Sequence, residues 1–68
     1  MKRVNINDLV VLNKTPDAVI WRVMQIDGPF NVGITEAFSN KAYPTRLQWI
    51  DISLMHKPTK TQLDSANR

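Results

Sequence analysis

The stretch Ala18-Val19-Ile20-Trp21-Arg22-Val23-Met24-Gln25-Ile26-Asp27-Gly28-Pro29-Phe30-Asn31-Val32-Gly33-Ile34-Thr35 decides the fold class. In its first half Val19, Trp21 and Val23 share one parity and Ile20, Met24 and Ile26 the other, the pattern of a strand buried in part on both faces or bent by a barrel. In its second half Phe30, Val32 and Ile34 alternate with Asn31, Gly33 and Thr35, the period of a strand with one buried face. Asp27-Gly28 between them predicts a tight hairpin turn, because both of its central positions need a positive φ, which glycine and aspartate tolerate best. Pro29 opens the second strand, where its missing N–H costs little, and Gly33 predicts a bulge or a close backbone approach.

Working outward, Val4, Ile6 and Leu9-Val10-Val11-Leu12 predict a preceding strand, closed by the turn formers Asn13-Lys14-Thr15-Pro16-Asp17. On the other side, Ser39-Asn40 marks a loop, and Tyr43, Thr45, Leu47 and Trp49 alternate with Pro44, Arg46 and Gln48 as a fourth strand. Asp51 and Ser53 are placed to bond nearby amides in a short turn, after which Leu54 and Met55 pair as a last strand. Five short strands and no convincing helix imply a small sheet bent until it closes on itself and hides its edges. The domain is expected at residues 4–57. Residues 58–68 are polar apart from Leu63 and are expected to be a flexible basic tail without order.

A chain of 68 residues holds one core, and without cysteine it has no disulfide or thiolate metal site to supplement that core. The polar opening Met1-Lys2-Arg3-Val4-Asn5-Ile6-Asn7-Asp8 lacks the apolar run of an export signal, so a soluble cytoplasmic protein with no membrane segment is expected. The net charge of +3 is unevenly placed. Residues 1–56 carry six Lys or Arg against five Asp or Glu, and residues 57–68 carry three against one, so the body is nearly neutral.

Three segments carry a resemblance to a known superfamily. Asn7-Asp8-Leu9-Val10-Val11 resembles the opening strand of Src-homology-3-like barrels, Trp21 to Gly28 their second strand and hairpin, and Gln48 to Met55 their fourth strand, helical turn and fifth strand. The resemblance implies an all-β fold, a small five-stranded Src-homology-3-like barrel with a disordered C-terminal tail. It also implies a compact accessory or regulatory protein of a bacterium, phage or plasmid. Leu47-Gln48-Trp49-Ile50 is similar in placement to the Val-Gln-Ile-Tyr stretch of type II dihydrofolate reductases, but Gln48 alone is identical and Ile50 stands where those enzymes have tyrosine.

Enzyme chemistry is not expected. The chain has no thiol nucleophile, and its single histidine, His56, sits at the edge of the domain, where a general base would be poorly enclosed. Asp27, Asp51 and His56 lack metal-ligand spacing, and with only Gly28 and Gly33 there is no phosphate loop, so no cofactor is expected. Two binding readings remain. Lys14, Arg22, Lys41, Tyr43, Arg46 and Trp49 supply cations for phosphates and rings for stacking, the chemistry of a DNA- or RNA-binding face. The same parity that groups Tyr43 and Trp49 with Leu47 would instead turn both rings into the core. In the other reading Phe38, Tyr43, Pro44 and Trp49 line a groove for a protein partner, flanked by Asp17 and Glu36, or an exposed edge pairs with a second copy. The near-neutral body places protein binding, self-association included, ahead of nucleic acid.

Overall fold

The computed structural model describes residues 3–38 and 46–66. Four strands, β1 (Leu9–Val10), β2 (Trp21–Asp27), β3 (Asn31–Glu36) and β4 (Gln48–Asp51), form one antiparallel sheet in the order β1-β2-β3-β4. The sheet curls into a half-barrel, followed by the 3-10 turn Ile52–Leu54 and a C-terminal helix α1 (Lys60–Ala66).

Paired residues of an antiparallel sheet share a face, and the register therefore sorts the side chains. Val10 pairs with Trp21, Val23 with Ile34 and Val32 with Ile50. These residues point inward, where Val4, Val10, Val23, Val32, Ile34, Ile52 and Met55 form the main core and Leu12, Trp21 and Ile50 pack against it. The opposite parity carries a second core, Val11, Ala18 and Ile20 with Leu9, Ala37, Leu63 and Ala66. The mixed parity of residues 18–26 thus has two sources: Ala18 and Ile20 are buried on one side and Val23 on the other, while the extra residue Met24 shifts the phase of exposed Ile26. The inner side meets the main core and the outer side meets α1.

The helix corrects the expectation of a disordered tail. Thr59 Oγ1 accepts from the Gln62 N–H at 3.1 Å while Gln62 Oε1 accepts from the Thr59 N–H at 2.9 Å, a reciprocal capping box that satisfies two donors at the helix start. The Gln62 side chain, 2% exposed, then donates Nε2 to the carbonyls of Asn13 at 3.0 Å and Thr15 at 2.9 Å. A seven-residue helix is too short to be stable alone. This one is fixed by that clamp and by burial of Leu63 and Ala66.

The expected fifth strand shrinks to one bridge. Asp51 accepts from the Ser53 N–H at 2.8 Å and winds residues 52–54 into the 3-10 turn, as the Asp51/Ser53 pattern indicated. Only His56 then pairs, exchanging both backbone bonds with Val11 at 2.8 and 2.9 Å. Pro58 follows two residues later and cannot donate to a ladder.

The first strand is likewise shorter than expected. Asn5 to Asp8 make a tight turn, with the Asp8 carboxylate accepting from the Asn5 N–H at 2.8 Å and Asn7 at φ 77°. The hairpin is not the two-residue turn expected: Asp27 pairs with Asn31, leaving the loop Gly28-Pro29-Phe30, in which Gly28 has φ 74°. Pro29 therefore lies in the loop and does not open β3. The irregularity near Gly33 falls on the opposite strand, between Val23 and Gln25, where Met24 is the extra residue. Gly33 is instead a close-approach position, since a Cβ there would stand 3.0 Å from the Leu47 side chain.

Candidate binding surfaces

Arg22 and Trp49 lie on the same, outer face of the sheet, two strands apart. Arg22 is half-buried in β2 between Leu9 and Thr35, and Trp49 pairs across Gly33 from Gln25. Trp49 is 45% exposed, so its ring is not turned into the core, the alternative that its parity with Leu47 left open. The inward position on β4 belongs to Ile50, which packs on the main core. Trp21 is half-buried against that core.

Lys14 is exposed in the β1–β2 loop, whose carbonyls Gln62 holds. Arg46 is exposed two residues before β4, at the end of the sheet where β3 finishes at Glu36. Lys41 and Tyr43 lie outside the described residues. Among the described residues the basic side chains do not form one positive face: Arg22 sits on the sheet, while Lys14 and Arg46 are at the end that also carries Asp17 and Glu36.

That end holds a cleft of about 230 Å³ lined by Asp17, Ala18, Val19, Ile20, Glu36, Phe38 and Ala66. Of the residues named for a groove, Phe38, Asp17 and Glu36 line this cleft together. Trp49 is not in the cleft lining, and Pro44 lies outside the described residues. A second cleft of about 360 Å³ runs beside α1, between Asp8, Leu9, Lys57, Pro58 and Leu63. Sequence reasoning missed both contributions of the helix, Ala66 and Leu63. The signal was present in Thr59-Lys60-Thr61-Gln62, a capping-box spacing preceded by Pro58 and followed by Leu63.

At the opposite end, large apolar side chains face solvent. Phe30 is 63% exposed and Leu54 58%. The Ile52 N–H donates to the Phe30 carbonyl at 2.8 Å, holding the hairpin loop against the 3-10 turn, and exposed Ile26 lies on the strand leading into that loop. Asp51, beneath this turn, has its carboxyl held below the ordinary value of 3.8 by the bond from the Ser53 backbone N–H and then by the Ser53 side chain. Among the described residues no three His, Asp or Glu side chains converge to hold a metal ion, and no helix is long and apolar enough to cross a membrane. Compared with protein-family models, with curated proteins and with solved structures, the chain matches none.

Proposed function

We propose that this chain is a non-catalytic binding module whose target is a protein surface, a second copy included. It would act in the cytoplasm as a small accessory or regulatory protein of a bacterium, phage or plasmid. The observation that carries the reading is the apolar end formed by Ile26, Phe30 and Leu54. Apolar side chains left this open on so small a body favour association, since burying them removes area from water at roughly 25 cal/mol per Å². We also read the half-barrel as a reduced Src-homology-3-like barrel with Met55-His56 as the vestige of its fifth strand. The strand order, the 3-10 turn after β4 and the return of His56 to Val11 support that reading.

The second reading, a nucleic-acid face, is favoured by one observation, the presence of Arg22 and exposed Trp49 on the same side of the sheet. Against it stands the mixing of Lys14 and Arg46 with Asp17 and Glu36, because phosphate affinity scales with the cations presented together. Fluorescence anisotropy of labelled single- and double-stranded oligonucleotides separates the two. The protein-surface reading expects no saturable binding near physiological salt. Binding that saturates there and weakens steeply as salt is raised would reverse the ranking.

A further inference from the structure

The two edges of the sheet are finished differently. At one edge β1 is continued by the bridge from Val11 to His56. At the other, β4 pairs only with β3 among the described residues. The hydrogen-bond phase tells which amides are left over. The Ile52 N–H bonds the Phe30 carbonyl, so residues 52, 50 and 48 address β3 and the backbone groups of Trp49 and Asp51 point away from it. Among the described residues, no backbone bond is given to the outward N–H of either.

Natural edges are protected by charge, proline, bulges or a covering segment. Gln48, Trp49 and Ile50 carry no charge or proline, and among the described residues no bulge and no further strand lies along them. The single charge, Asp51, turns its carboxylate back onto Ser53.

We propose that β4 is a self-association edge on which a second copy pairs antiparallel about a two-fold axis at Trp49, an inference that rests on the protein-surface reading above. In that register each Trp49 N–H donates to the partner's Trp49 carbonyl, and each Asp51 N–H donates to the partner's Leu47 carbonyl. The two exposed indoles stand opposite each other on the outer face, a favourable cross-strand aromatic pair. Gln48 falls opposite the partner's Ile50 and Asp51 opposite the partner's Leu47, so no like charges meet. A second copy is the fitting occupant because this edge is self-complementary in donors, acceptors and side chains. Five residues span about 17 Å of edge, so the contact is below the roughly 1,200 Å² of a standard interface and the dimer is weak.

The test combines sedimentation velocity with amide hydrogen exchange on the intact chain from about 20 µM to about 2 mM, the range of a small interface. The dimer fraction rises with concentration, and exchange at Trp49 and Asp51 slows about tenfold or more. The Ile50 amide, already bonded to β3, is protected throughout. Trp49→Lys stays monomeric with its amide dispersion retained, and if that variant fails to fold, the wild-type exchange data decide alone. A monomer at every concentration overturns the edge proposal. A dimer in which Trp49 and Asp51 exchange at unchanged rates also overturns it, yet leaves the protein-surface reading intact; that reading fails separately if oligonucleotides bind with steep salt dependence.

Discussion

Replacing Gln62 by alanine tests the packing that joins the helix to the sheet. The side chain makes three hydrogen bonds, two from Nε2 to the carbonyls of Asn13 and Thr15 and one accepted by Oε1 from the Thr59 N–H. Each is worth about 0.5–1.5 kcal/mol net, and the three together, with the hole left at a 2% exposed position, come to about 3 kcal/mol. A domain of this size holds roughly 3–10 kcal/mol in total, and each kcal/mol moves Tm by about 4–8 °C, so a fall of about 15 °C is expected. Urea and thermal unfolding followed by tryptophan fluorescence and circular dichroism measure it. Gln62→Glu sharpens the test. It keeps an acceptor for the Thr59 N–H but turns a carboxylate toward two carbonyl oxygens, so at neutral pH it destabilises at least as much as alanine. Its folded carboxyl titrates above its unfolded value, so stability returns as pH falls and the group protonates. A Gln62→Ala protein within about 0.5 kcal/mol of wild type, with the amides of residues 13–15 unshifted, would refute the clamp.

Gly33→Ala forces its Cβ to within 3.0 Å of the Leu47 side chain, a flexible neighbour that yields; the expected loss is about 1 kcal/mol by urea denaturation. Asn7 stands at φ 77°, so Asn7→Gly is tolerated, while Asn7→Val, β-branched in a left-handed position, lowers Tm in a calorimetric comparison. The lowered Asp51 carboxyl contributes stability that is present above 3.8 and is lost as pH falls through its folded value; Asp51→Asn flattens the acid limb of a pH-stability curve in that window.

The strands were legible where side chains alternate by period two, as in residues 31–36, and the Asp51/Ser53 turn was legible from local side-chain chemistry. Hairpin geometry was not, because Asp27 and Asn31 pair and move the loop one residue along, to Gly28-Pro29-Phe30. The helix was hidden for a physical reason. Its amphipathic face is only Leu63 and Ala66, too little to show a period, and its stability comes from a clamp to a loop 47 to 49 residues away in sequence. Parity with Leu47 left Trp49 open between a binding face and the core. In the structure Ile50 faces inward, and Leu47 lies over Gly33, whose lack of a side chain makes room for it. Of the basic and aromatic candidates, the pairing of strands puts Arg22 and Trp49 on one face, a shared side set by register that spacing along the chain does not encode.

The central claim, that this surface is built for protein and not for phosphate, is tested most directly by NMR. Labelled protein is titrated with single- and double-stranded oligonucleotides at low and near-physiological salt. The account predicts that the amides of Arg22, Arg46 and Trp49 stay in place at physiological salt. Shifts clustered on those residues, persisting there and shrinking steeply as salt rises further, would contradict it.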